Sequence, residues 1–297
     1  MKHRHRPVIA DRAAPVTLDG WPEQVQSVAS PETPMTTFVK TAIEGRIATV
    51  RFERGTKANA LSAEAISQLT DAARALHARP DISAVILTGR PDVFTLGADL
   101  KDPASAALRR QKLAERRLSL RAGPEMCEAW EKVDALTIIA IEGWCVGGGA
   151  ALAVSCDLRV MARSAKLYIP EVERGMNMSW GSIPRLTALV GPARAKRLAA
   201  LCEKVDAQTC EAWGLADSIA EDGQALEAAM TLARRAASLP PTALKLVKHD
   251  VNAAALALSR ITARNDLEAF ALMERSEDFA EGVSAFLEGR DPKFTGD

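Results

Sequence analysis

The chain has 297 residues, enough to bury a large core, and its 38 basic residues are matched by 38 acidic ones, so bulk charge gives no sign of a nucleic-acid partner. No apolar run reaches the about 18 residues that crossing a bilayer requires, and the start lacks the apolar stretch of a secretory signal. Five cysteines (Cys127, Cys145, Cys156, Cys202, Cys210) are scattered, odd in number and without a C-x-x-C pair, which argues against a disulfide framework or zinc site and for a reducing, cytoplasmic setting.

Residues 1–36 read as a loosely ordered extension. Pro7, Pro15, Pro22, Pro31 and Pro34 break any periodicity, and His3 and His5 belong to a solvated tail rather than a metal site. A strand is expected over Arg46–Arg51. Ser62 then offers an N-cap to a helix with Ile66, Leu69, Ala73 and Leu76 on its apolar face. A second strand, SAVILTG, covers 83–89, and the loop Arg90–Asp99 leads into a long arginine-rich helical stretch from about Ala104 to Asp134. Strand Thr137–Ile141 follows, then Gly147-Gly148-Gly149, a helix beginning near Gly149 and a strand at Asp157–Met161, a βαβ-like rhythm. After Ile183 the pattern is almost wholly helical, with breaks at Gly191-Pro192, Gly214 and Pro240-Pro241.

The junction TIIAIEGWCVGGG carries the most chemistry. A buried strand runs into three glycines and then a helix, which aims unpaired backbone N–H groups at one point. Taken alone, the glycines need mean no more than a tight turn. The spacing fits neither a dinucleotide fingerprint, which would want glycine at Leu152, nor a P-loop. A second turn, Phe94-Thr-Leu-Gly97-Ala98-Asp99-Leu100, follows the neighbouring strand, and two convergent donors are the minimum for an oxyanion hole.

The strings FTLGADLKD, IEGWCVGGGAALAVSCDLRV, IPEVERGM and AWGL, with FLEGRDPKFTG near the C-terminus, strongly resemble the crotonase superfamily of enoyl-CoA hydratases and isomerases over roughly residues 40–297. The resemblance implies an α/β fold: a crotonase-like spiral of ββα units over 37–235, and a helical C-terminal trimerisation region over 236–297. It implies Ala98 and Gly148 as oxyanion-hole residues gripping an acyl-CoA thioester oxygen, and Glu171 as the acid/base. It implies no metal and no cofactor beyond the coenzyme A of the substrate, and assembly as homotrimers or dimers of trimers without a membrane partner. By the same resemblance Lys57 and Ala58, with Lys101 and Phe294, lie near the nucleotide portion of coenzyme A; Ala60, Gly97, Gly147, Ala151 and Trp180 are further candidates for the substrate site.

One departure bears on the reaction. Hydratases of this family hold water between two glutamates, and the first of these positions, two residues after Gly149, is Ala151 here. Alanine neither positions water nor exchanges a proton. A single glutamate with its pKa raised by an apolar setting suffices to move a proton across a double bond, so the chemistry leans toward isomerisation, with one-glutamate hydration the other outcome. Trp180 and Met176 and Met178 would narrow an acyl pocket or simply fill core, while Asn177 or Ser179 is placed to hold a water. Glu142 and Glu173 are assigned to solvation or a salt bridge. The run Arg109, Arg110, Lys112, Arg116, Arg117, Arg121 could attract phosphates, though a solvated helix face is the commoner role. Three rivals stay open: thioester hydrolysis, a weakly catalytic scaffold, and RNA binding. The last is disfavoured because Ala63–His77 holds one arginine and no lysine.

Overall fold

The computed structural model describes residues 36–103, 107–108, 110–257 and 263–297. The expected disordered extension therefore falls almost wholly outside the described residues, as do Ala104 and Arg109. Strands β1 (Val39–Glu44), β2 (Ile47–Phe52), β3 (Ala84–Thr88), β4 (Leu136–Ile141), β6 (Leu158–Ala162) and β9 (Ser218–Ala220) form one sheet in the order β1-β2-β3-β4-β6-β9. Only the β1–β2 pair is antiparallel. The inner strands read as near-continuous apolar runs because both faces are covered, and β3 is buried at every position. A smaller sheet, β5 (Trp144–Val146), β7 (Lys166–Tyr168) and β8 (Val205–Asp206), turns away from the first at Glu142-Gly143.

Helix α1 (Ala63–His77) begins where expected. Ser62 Oγ accepts from Ala65 N at 3.2 Å, and Ala65, Ile66, Leu69, Ala73 and Leu76 make the buried stripe. The expected long helix up to Asp134 is not continuous among the described residues: α2 (Leu113–Ser119) and α3 (Ala122–Lys132) are separated at Leu120-Arg121. The break lets α3 lie across α1, where the buried Trp130 donates its Nε1–H to Leu69 O at 3.2 Å. Helix α4 (Gly148–Ala153) follows the glycine triplet, and α5 (Ser182–Ala199) is kinked where expected, at Gly191 (φ 76°, ψ 165°) before Pro192.

The region beyond Ile183 is less uniformly helical than its sequence suggests, since β8 and β9 flank α6 (Ala207–Ala212). Helix α7 (Ala225–Ala237) then packs on the main sheet through Ala225, Ala229, Ala233 and Ala236, small residues one turn apart that allow close approach. Glu142 corrects an expectation: it is buried and accepts from Gly223 N (3.1 Å) and Ala225 N (2.9 Å), closing the start of α7 rather than facing solvent or a cation. Helix α8 (Pro241–Ala255) is tied down by buried Lys248, whose Nζ donates to Val133 O, Ala135 O and Asp157 Oδ2 at 2.6, 2.9 and 2.7 Å. Helices α9 (Asp266–Met273) and α10 (Glu277–Glu288) complete the chain.

Candidate active site

Two loops leave neighbouring strands in register. Phe94 N donates to Glu142 O (2.7 Å), Thr95 N to Trp144 O (3.0 Å) and Val146 N to Thr95 O (3.0 Å), so Thr95 pairs with Cys145 in parallel. Three residues further along each arm stand Ala98 and Gly148. On its other side the first loop is clamped by Ala58–Leu61: Leu96 N donates to Ala58 O (2.9 Å), Leu61 N to Gly97 O (2.8 Å) and Asp99 N to Leu61 O (3.0 Å). Because Gly97 O and Asp99 N face Leu61, the N–H of the residue between them, Ala98, is directed to the opposite side. The glycine triplet lies there. A Cβ on Gly97 would sit 2.9 Å from Val146 O and 3.7 Å from Gly148 N, and Gly97 adopts φ +91°, so glycine is required on both counts. Neither the Ala98 nor the Gly148 N–H has a backbone acceptor among the described residues.

Asn59 underlies this clamp. It is fully buried at φ 41°; its Nδ2 donates to Phe52 O (3.0 Å) and Phe94 O (2.8 Å), and its Oδ1 accepts from Arg54 N (2.9 Å). Thr95 Oγ1 donates to Asn59 O at 2.6 Å and accepts from Gly97 N at 3.1 Å. Arg54 in turn holds Asp99 Oδ2 at 2.6 Å.

Glu171 arrives from the third direction. It follows β7, and Gly147 N donates to Tyr168 O at 2.8 Å, which fixes this segment against the triplet. The carboxylate lies so close to Gly147 that a Cβ there would be 2.6 Å from Oε1. Oε2 is enclosed and has no hydrogen-bond partner. Burial pushes the Glu171 pKa up from 4.5 to about 7, against smaller opposing effects from its own backbone and the Arg174 guanidinium. A 3-10 turn, Val172–Arg174, then reverses the chain, with Arg174 N and Met176 N both donating to Glu171 O at 3.0 Å. Glu173 accepts from the Tyr168 hydroxyl, so it is engaged with a phenol and not only with solvent.

Ala98, Gly148, Glu171 and Trp180 line one cavity of about 180 Å³. Its walls come from α1 (Ala63, Ile66), α2 and α3 (Arg116, Ser119, Gly123), the loop Met176–Ser179, and the C-terminal helices (Phe270, Glu274, Phe279). Trp180 takes a left-handed φ of 63° and lays its indole against two glycines. A Cβ on Gly123 would come within 2.1 Å of the ring and one on Gly148 within 2.5 Å. Arg116 is engaged by Glu274 (Nε to Oε2, 2.9 Å) and Arg117 by Glu268 at 2.8 Å, so these two of the arginine run are held by carboxylates rather than left for phosphates.

The other expected substrate residues stand outside the cavity lining. Lys57 and Lys101 are exposed, Phe294 is 45% exposed, Ala58 and Ala60 belong to the clamp, and Gly97 and Gly147 shape the backbone. Ala151 is fully buried in α4 and is not among the residues that line this cavity. Among the described residues no group of three or more His, Cys, Asp or Glu side chains could hold a metal, and no helix is long and apolar enough to cross a membrane.

This spiral of ββα units, with two loop amides beside a glutamate whose Oε2 is enclosed, defines a crotonase-type fold. The family described as enoyl-CoA hydratase/isomerase matches residues 42–297, and the chain belongs to it. It is 30% identical over 253 residues, 84% of this chain and 95% of the other, to a protein of Mycobacterium leprae described as a probable enoyl-CoA hydratase. Over 268 residues, 88% of this chain and 100% of the other, it is 30% identical to the 1,2-epoxyphenylacetyl-CoA isomerase of Escherichia coli. The crystal structure of enoyl-CoA hydratase from Bacillus anthracis superposes with a TM-score of 0.69 at 27% identity, covering 88% of this chain and all of that one.

Proposed function

We propose that the protein binds an enoyl-CoA, polarises its thioester carbonyl between the N–H groups of Ala98 and Gly148, and uses Glu171 to exchange a proton with the adjacent carbon. Two amides aimed at one oxygen stabilise the enolate that forms when the α-carbon loses a proton or the β-carbon gains a nucleophile. Each such donor contributes about 2.7–4 kcal/mol in the transition state. A carboxylate of pKa about 7 is divided between its base and acid forms near neutral pH, which suits a group that must take up a proton and return it. Lys57, Lys101 and Phe294, outside the cavity, serve the nucleotide end of coenzyme A in this reading, and no further cofactor takes part. The exposed Leu246, Val247 and Val251 of α8 support burial against further copies in a homotrimer or dimer of trimers, and the reducing setting expected for five free cysteines supports a cytoplasmic location.

The observation that carries the reading is Glu171 Oε2, enclosed and without a hydrogen-bond partner, in the cavity that Ala98 and Gly148 also line. The test is exchange of α-protons of a saturated acyl-CoA into D2O. Wild type exchanges them; Glu171→Gln loses exchange by at least about 10²-fold while still binding coenzyme A thioesters. Undiminished exchange in Glu171→Gln removes it from the mechanism.

A further inference from the structure

Resting on the enolate reading above, the geometry points to Asn177 as the second ligand of a reacting water, and so to hydration as the reaction that this site performs. Five buried side-chain nitrogen or oxygen atoms lack a hydrogen-bond partner among the described residues: Arg46 Nη2, Arg54 Nε, Ser83 Oγ, Glu171 Oε2 and Asn177 Oδ1. Of these residues, Glu171 and Asn177 line the cavity that holds Ala98 and Gly148. Both orphan atoms are acceptors. The backbone explains why they share this space: Met176 N is bonded to Glu171 O, so Asn177 is the first residue beyond a closed turn that starts at Glu171.

An acceptor left enclosed without a donor costs about 1–3 kcal/mol, so two in one cavity call for a ligand that brings two donors. The acyl part of an enoyl thioester offers only C–H bonds there. A water supplies both donors, one O–H to Glu171 Oε2 and the other to Asn177 Oδ1, and its lone pairs are then left facing the substrate. That is the orientation a nucleophile needs, and it follows from both neighbours being acceptors.

The step balances with water as the only co-reactant. The water oxygen bonds to the β-carbon as its O–H bond breaks and the proton passes to Glu171 Oε2, and the C=C electron pair moves into the thioester to give the enolate held by Ala98 and Gly148. Glu171 then returns that proton to the α-carbon, re-forming the carbonyl and leaving a 3-hydroxyacyl-CoA whose hydroxyl takes over as donor to Asn177. A carboxamide in the cavity thus takes on the water-holding that Ala151, buried and outside the cavity, cannot perform. Being neutral in every protonation state, it orients the water without competing for the proton.

The experiment compares two reactions of one enzyme: hydration of crotonyl-CoA and longer trans-2-enoyl-CoAs, which needs the positioned water, and α-proton exchange of a saturated acyl-CoA in D2O, which does not. In Asn177→Ala, kcat for hydration is expected to fall about 10²-fold while exchange stays within about threefold, and Asn177→Asp, which keeps an acceptor, is expected to hold hydration within about tenfold of wild type. Retained exchange certifies the fold of each variant. Loss of both reactions together in Asn177→Ala, unchanged hydration in that variant, or a wild type that exchanges α-protons yet hydrates none of these substrates, overturns the assignment while leaving the enolate reading intact. A wild type that neither exchanges nor hydrates overturns both.

Discussion

Replacing Glu171 with glutamine should make the protein more stable at high pH and not at low pH. The rise of the Glu171 pKa from 4.5 to about 7 comes from burial, so the folded state binds this proton more tightly than the unfolded chain does. The stabilisation from that proton is fully present below about pH 4.5 and is lost as pH climbs through about 7; above that, folding must carry a buried charge. At about 1.4 kcal/mol per pH unit, the difference amounts to about 3 kcal/mol by pH 8 and is close to zero at pH 4. Urea unfolding of wild type and Glu171→Gln at several pH values measures it. The amide adds a constant offset of its own, so the quantity to read is how the difference between the two proteins changes with pH. A difference that stays flat between pH 4 and pH 8 would refute the burial argument and with it the assignment of Glu171 as a group poised near neutrality.

Gly147→Ala places a methyl 2.6 Å from Glu171 Oε1 at a residue with φ +53°, so the carboxylate must move; turnover should fall by about 10²-fold, and an unaffected kcat would show that its position is not critical. Ala98→Pro deletes one N–H donor and should lower kcat by about 10²–10³-fold with little change in KM, provided circular dichroism shows the fold retained; a pure KM effect would argue against a transition-state role. Val247→Lys together with Val251→Lys on α8 should shift the protein toward monomer in light scattering, and an unchanged mass would remove this face from the assembly.

How much was legible in advance depended on how local the signal was. Helix α1 could be read to the residue because its cap, stripe and length all lie within one stretch, and β3 and β4 because buried parallel strands are nearly uniformly apolar. The three-residue strands β5, β7 and β9 and the two-residue β8 were not, since such lengths hold no periodicity and their pairing is decided elsewhere in the chain. Glu142 was misassigned for a similar reason: its partners are amides some eighty residues away. In the site, the two glycine turns marked the loops and the family resemblance singled out Ala98, Gly148 and Glu171, and those three line one cavity. The remaining walls, from Arg116 and Gly123 to Phe270 and Glu274, come from segments whose sequences announce only helix.

One contact outside the cavity ties its chemistry to the far end of the chain. Helix α10 crosses the turn after Glu171 where Gly282 faces Arg174, whose carbonyl carbon would lie 2.4 Å from a Cβ, and where Gly175, at φ +68°, faces Asp278 O at 2.2 Å by the same measure. Main chain rests on main chain there, with the Arg174 guanidinium stacked 4.1 Å from the Phe286 ring centre. The last helix is thus a splint for the segment that bears Glu171, and a nonsense mutation upstream of it would yield a polypeptide that keeps Ala98, Gly148 and Glu171 yet lacks the brace on the turn after Glu171.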